Sequence, residues 1–245
     1  MTAQVVPLRV ARAGVPGRLR RMALGVGGIV VFLIVWQLVA SLGLMKTLFI
    51  SSPVLIVQQV AIDLGGSDLI HNLLVTLEEW WLGLAVAAVL GILIGLAAGW
   101  YRPVRRIAEP WLNFLYAVPF LAVVPLFILW FGIGFEFKVF VAFLSAIFVI
   151  AMSTMAGVHG TDPRLLAVAD TFGASRSRVF RTIVLPGSVP FIMTGLRQGA
   201  GHALVGAVAG EFIASNQGLG FGIMLAGQTL NTSEVFIGIV LLAAL

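Results

Sequence analysis

The sequence predicts an all-α, polytopic membrane protein of about six transmembrane helices, with its N-terminus in the cytoplasm. Three observations predict it. The chain is 60% hydrophobic and only 10% charged over 245 residues, with mean hydropathy +1.08. Soluble domains sit near half apolar and a quarter charged, so lipid has to be the solvent. The apolar residues fall in stretches long enough to cross about 30 Å of hydrocarbon. The Lys and Arg residues cluster in alternate connections, the pattern that sets membrane orientation. Without cysteine, disulfides, thiol catalysis and cysteine metal sites are excluded. The net charge of +5 belongs to the arginine clusters and calls for no nucleic-acid partner.

Residues 1–22 read as a basic cytoplasmic tail and 23–245 as one transmembrane domain. The first span is Ala23–Met45, preceded by Arg18, Arg20 and Arg21. Its apolar run exceeds a signal-peptide core, so it reads as an uncleaved span. Between it and the next span, Ser52 caps and Pro53 opens an amphipathic surface helix that ends at Gly65-Gly66. The second span is Trp81–Trp100, with Trp80, Trp81, Trp100 and Tyr101 at aromatic-belt levels. Gly91, Gly95 and Gly99 within it form a ladder suited to close helix packing, or less favourably to a dimer contact. Trp111–Ile133 and Val139–Val158 are the third and fourth spans, and Pro119 and Pro125 are expected to kink the third. Val189–Phe212 is the fifth. Glu234–Leu245 begins a sixth helix that is incomplete at 245.

Arginines precede span one, lie between spans two and three (Arg102, Arg105, Arg106), and recur between spans four and five (Arg164, Arg176, Arg178, Arg181). The intervening connections hold Lys46 against Asp63, Asp68, Glu78 and Glu79, then one Glu and one Lys, then no basic residue. Positive-inside counting therefore places the N-terminus and the 162–186 loop in the cytoplasm.

That loop is too long for a connector. Asp162 caps a helix opened by Pro163, with Leu165, Leu166, Val168, Ala169 and Phe172 as its apolar side. Gly173 fits the left-handed position that stops a helix. Ser175 caps a second helix, Arg176–Leu185, which Pro186 is expected to end. Val179, Phe180 and Ile183 can anchor this knob to the membrane domain.

Gly173, then nine residues, then Ile183-Val-Leu185-Pro186 resembles the coupling loop of ABC importer permeases: Glu-Ala-Ala, three residues, Gly, nine residues, Ile, one residue, Leu-Pro. The family's glutamate falls on Ala167 and its first alanine on Val168; Asp170 follows at the next turn. The segment Ala117-Val-Pro119, with Val124-Pro125 and Trp130-Phe-Gly132-Ile-Gly134, is similar to the third-span signature of the nitrate/sulfonate/taurine/bicarbonate subfamily. Ser51-Ser52-Pro53, Gly195-Leu-Arg197, Glu211-Phe and Gly218-Leu-Gly220 fit it as well. The similarity runs from about Ser51 onward.

The resemblance implies a type I ABC importer permease in the bacterial inner membrane. It implies a homodimer with a second permease copy, two ATPase subunits docked beneath, and an external solute-binding protein above. ATP and magnesium would belong to the ATPase chains, since this chain has no phosphate-cradling Gly-Lys-Ser/Thr loop and is expected to hold no cofactor. The coupling contact would comprise Ala167, Asp170, Phe172, Gly173, Ala174, Arg176, Arg178 and Pro186. Pathway candidates are Pro119, Pro125, Trp130, Arg197 and His202. Arg197 either snorkels to the cytoplasmic surface or faces the pathway. His202 faces the pathway or packs through a hydrogen bond, and Trp130 faces it or joins an interfacial belt. Glu211 is expected to be hydrated near the outer end. His71 and His159 lack ligand-spaced companions, so no metal site is expected.

Two other classes compete. A secondary transporter or channel would carry more intramembrane acids or histidines, and the predicted spans are nearly bare of them. An intramembrane enzyme would need a catalytic set such as paired carboxylates, and no such motif is visible. The substrate expected from the resemblance is a small anion such as a sulfonate, taurine or nitrate, or else a vitamin or precursor.

Overall fold

The computed structural model describes residues 16–63, 65–66 and 68–245. Arg9 and Arg12 of the predicted tail lie outside the described residues. Twelve α-helices follow one another among them: α1 (Pro16–Ser41), α2 (Thr47–Ile50), α3 (Pro53–Asp63), α4 (Asp68–Trp100), α5 (Arg102–Ala117), α6 (Phe120–Phe131), α7 (Phe135–His159), α8 (Pro163–Thr171), α9 (Arg176–Val179), α10 (Leu185–Ala214), α11 (Leu219–Gln228) and α12 (Thr232–Ala244). A π-helical turn, Phe180–Val184, joins α9 to α10. Four helices are long and apolar enough to cross a membrane, or five if α5 and α6 form one broken span. The sixth predicted span corresponds to α12, of 13 residues.

The core is a three-helix layer in which α7 lies between α4 and α10. Small residues make this possible. A Cβ at Gly83 would lie 2.9 Å from Phe143 N, and one at Gly95 would lie 2.5 Å from Ala151 O. On the other side, Gly195 and Gly199 press on Ser153 and Ile150, and Gly206 presses on Ser145. Between them Ala87, Ala98, Ala203 and Ala207 are fully buried. Lipid tails are as apolar as the side chains, so helices associate here by close van der Waals approach, which small residues permit. The Gly91/Gly95/Gly99 ladder is thus an intrachain packing face against Ile147, Ile150, Ala151, Thr154 and Val158.

Several boundaries differ from the sequence reading. α1 begins at Pro16, so residues 16–22 of the predicted tail are helical. It touches the rest lightly: the Trp36 indole donates to the Ile50 carbonyl at 3.2 Å, and its ring meets Phe236 at 5.0 Å. α4 starts at Asp68 rather than Trp81, so Glu78-Glu79-Trp80-Trp81 lies inside a 33-residue helix. The third span is two helices. Val118 and Pro119 are extended between them, and Arg102–Ala117 meets Ala122–Phe131 at 106°. Pro119 causes the break, since its ring disfavours helical geometry at the residue before it. α6 continues through Pro125. The connection expected as a loop between spans five and six contains α11.

Pro186 does not end the helix begun at Arg176. The chain is helical from Arg176 to Ala214. In the wider turn at Phe180–Val184 the Leu185 N–H reaches the Phe180 carbonyl. A π turn is a physical way to accept a proline, because it moves the carbonyl that the ring would otherwise strike.

Candidate functional site

At one end of the bundle the chain gathers the arginines of residues 102–106 and of the 162–186 segment. Arg105 hydrogen-bonds to His159 at the end of α7, and Trp100 meets Phe180 at 5.3 Å. The start of α5, the end of α4, and the 162–186 segment therefore share this end. The knob is built by local caps. Asp162 accepts from the Arg164 N–H at 2.8 Å, and the Ser175 hydroxyl accepts from the Arg178 N–H at 3.4 Å. Gly173 takes φ +66°, and its N–H and that of Ala174 close on the Asp170 and Ala169 carbonyls. An L-residue with a side chain is strained in that left-handed conformation. Ala169 is buried and Phe180 half-buried, which seats the knob on the bundle.

The predicted apolar side of α8 splits in two. Ala169 and, partly, Leu166 face the protein. Leu165, Val168 and Phe172 are exposed, and Phe172 is 83% uncovered. Their i, i+3, i+7 spacing makes one stripe. Ala167, Asp170, Gly173, Arg176, Arg178 and Pro186 are also exposed, and Ala174 is half-buried. The knob is therefore capped and braced from behind, with its front uncovered.

Of the pathway candidates, the structure brings His202 alone to a cavity of about 360 Å³, lined also by Tyr116, Val124, Val141, Ser145 and Val205. Pro119, Pro125, Trp130 and Arg197 are not among the residues lining it. Trp130 meets Phe127 in a tilted contact with ring centroids 5.8 Å apart, and Arg197 is exposed about one turn closer to the knob than His202. Thr194, Gln198 and His202 are exposed on one side of α10. Uncovered polar side chains within a membrane helix require water or a protein partner.

The opposite end holds what sequence reasoning misses. Glu211 is fully buried, not hydrated. It accepts from the Thr76 hydroxyl at 2.6 Å and from the Gly220 N–H at 2.5 Å. Beside it lie Glu79, fully buried, and Lys138, 2% exposed, joined as an ion pair. The sequence alone places both in connections between spans. The Lys138 ammonium also donates to Ser215 Oγ at 3.0 Å. The intramembrane region is therefore not bare of ionisable groups, and it does hold paired carboxylates. None of the three lines the 360 Å³ cavity or a second one of about 290 Å³ bounded by Asp68, Asn72, Leu219 and Glu234. A signal was present: Glu79 and Lys138 flank apolar runs, and a charge next to such a run can sit inside the span when a partner exists.

Comparison with known proteins identifies the family. Residues 87–245 match the family described as "Binding-protein-dependent transport system inner membrane component". The chain is 36% identical over 229 residues to the taurine transport system permease protein TauC of Escherichia coli (strain K12), covering 91% of this chain and 83% of that one. It is 33% identical to the putative aliphatic sulfonates transport permease protein SsuC of Bacillus subtilis (strain 168), covering 87% and 77%. It is also 33% identical to the formylaminopyrimidine transport permease protein ThiX of Halalkalibacterium halodurans, covering 77% and 75%. A crystal structure of an amino acid ABC transporter with histidines shares the fold, with TM-score 0.59 at 18% identity over 71% of this chain and 87% of that one. The chain belongs to the binding-protein-dependent transport system inner membrane components: it is an ABC transporter permease, a multi-pass inner-membrane transport subunit rather than a catalytic one.

Proposed function

We propose that this permease forms the translocation pathway of an ATP-driven importer and couples to separate ATPase subunits through the 162–186 knob. The observation that carries the coupling is the uncovered stripe Leu165, Val168 and Phe172, flanked by Arg164, Arg176 and Arg178. An exposed aromatic with flanking arginines is the composition of a protein interface centre. The cap bonds and the left-handed Gly173 make the knob stiff enough to pass on a rigid-body push, which alternating access needs. Its place beside Arg102, Arg105 and Arg106 supports a cytoplasmic position by the positive-inside rule. The opposite end then faces outward, toward a solute-binding protein.

The exposed Thr194, Gln198 and His202 side of α10 supports a homodimer whose two copies enclose the pathway. The cavity with Tyr116, Ser145 and His202 supplies the polar groups lining it. The substrate in this reading is a small anion, such as a sulfonate, taurine or nitrate, or else a vitamin or its precursor. The names of the taurine, sulfonate and formylaminopyrimidine permeases support that range. ATP and magnesium act on the ATPase chains. The buried Glu79–Lys138–Glu211 group favours one second reading, an ATP-independent carrier.

The test is purification of the permease with its co-encoded ATPase, followed by uptake into proteoliposomes with the binding protein supplied. Two permease copies, two ATPases and ATP-dependent uptake are expected. Substitution of Gly173 by valine should remove ATPase association while membrane insertion is retained. Uptake by the permease alone, a single permease subunit in the complex, or normal coupled uptake by Gly173→Val would each count against the corresponding part. Ligand binding by the soluble partner protein identifies the substrate.

A further inference from the structure

We propose that Glu211 is a positioning residue, a buried carboxylate latch that holds the N-terminus of α11 against the α4–α7–α10 core. Its part in transport rests on the permease reading above; the latch itself does not.

The first N–H groups of a helix have no partner within it. α11 starts after Gly218, which has no side chain to cap them. Four consecutive N–H groups are nevertheless satisfied, each by a side chain. Gln217 donates to Ser215 Oγ at 3.2 Å, Gly218 to Asn72 Oδ1 at 2.8 Å, Leu219 to Thr76 Oγ1 at 2.8 Å, and Gly220 to Glu211 Oε2 at 2.5 Å. Asn72 and Thr76 come from α4 and Glu211 from α10, so three separate elements meet at this helix end. Thr76 also joins the two arms, accepting from Leu219 while donating to Glu211 Oε1.

Burial and two accepted hydrogen bonds make Glu211 the principal member. Two carboxylates, Glu79 and Glu211, adjoin one ammonium, Lys138. Lys138 is ion-paired to Glu79. Lys138 also donates to Ser215, so the Glu211 carboxyl takes its directed donors from Thr76 and from the first turn of α11. α11 thus supplies the donor to Glu211 Oε2, as Thr76 supplies the donor to Oε1. Moving the helix away would leave a buried carboxyl oxygen without its donor, and that cost holds it in place. The close fit explains two glycines: a Cβ at Gly218 would overlap the Glu211 carboxylate, and one at Gly220 would stand 2.8 Å from Oε2. α11 packs on α12, which meets α2 and α3, where Ser233 bonds Ser51 at 2.8 Å. The latch therefore fixes a whole module at the end opposite the knob.

Cysteine labelling tests this directly, because the chain has no cysteine of its own. The reporter is Leu219→Cys, at a position 3% exposed, in the full-length chain in native membranes, and its reaction rate with a maleimide is followed. Glu211→Gln keeps the size of the side chain, replaces one acceptor oxygen by an NH₂ donor so that it cannot accept both hydrogen bonds, and leaves the Glu79–Lys138 pair in place. The labelling rate at position 219 is expected to rise about tenfold, equivalent to ~1.4 kcal/mol. Thr76→Val should raise it less. A second reporter, Ala146→Cys at a fully buried position of the core, is expected to stay unreactive in both variants. An unchanged rate at position 219 overturns the latch. A rise at both reporters also overturns it, because Glu211 would then serve the whole fold. Neither readout needs ATPase or substrate, so failure of the importer reading would appear in uptake and not here.

Discussion

The two ends of this bundle keep their polar and apolar groups in opposite places. At the α11 end, Glu79, Lys138 and Glu211 are buried, and each bonds to another element of the same chain. At the knob end, Leu165, Val168 and Phe172 are exposed, among exposed arginines. Charges inside are tolerated because each is ion-paired or hydrogen-bonded. Apolar groups outside the membrane are tolerated when a partner covers them. The contrast teaches where to look for partners: the buried charges of the first end are matched within the chain, and the uncovered stripe of the second is the surface the proposed ATPase contact would cover.

The largest effect should come from breaking the buried end. Lys138→Met leaves Glu79 without its counter-ion and is expected to lower stability by about 3–5 kcal/mol. Thermal unfolding in detergent would measure this, and adding Glu79→Gln should recover much of the loss. A single variant as stable as the native chain would mean that the pair does not hold the core. At the exposed end the loss should fall on association instead. Phe172→Ala is expected to weaken ATPase binding by about 2 kcal/mol, as for an interface anchor, with folding changed by less than ~0.5 kcal/mol. Co-purification yield and unfolding temperature separate the two. A drop in stability with unchanged association would reverse the comparison.

Gly173→Val should have a smaller direct cost, about 1–2 kcal/mol of local strain from the left-handed backbone. Its consequence is a misaimed knob: association falls while the core is unaffected, which limited proteolysis of the membrane domain would check. The smallest effect is expected from His202→Ala. It faces an open cavity, so stability should change by less than ~0.5 kcal/mol, and a change in the KM of uptake should be its signature.

The same contrast explains what could be read in advance. The knob's structure was legible because its signals are local: Asp162-Pro163, Gly173 and Ser175 each act on the residues beside them. The α3 cap was legible for the same reason, with the Leu55 N–H bonding Ser52 Oγ at 3.2 Å. The continuation through Pro186 was not, because a π turn upstream absorbs the proline. The buried charges were not, because their meaning lies in pairings across the chain. Lys138 meets Glu79 from 59 positions away, and Thr76 meets Glu211 from 135. Counting them as loop residues shifts the start of α4 by 13 positions, from Asp68 to Trp81. The glycines of α10 were there to be read: Gly195, Gly199 and Gly206, with Ala203, repeat at three- and four-residue intervals and line its contact with α7.

The most direct test of coupling through 162–186 uses the cysteine-free chain. Phe172→Cys in the assembled transporter should form a crosslink to the ATPase subunit in native membranes. Ile239→Cys, at an exposed position on α12, should form none. Absence of any crosslink from position 172 in membranes that retain ATP-dependent uptake would contradict the assignment of this loop as the coupling contact.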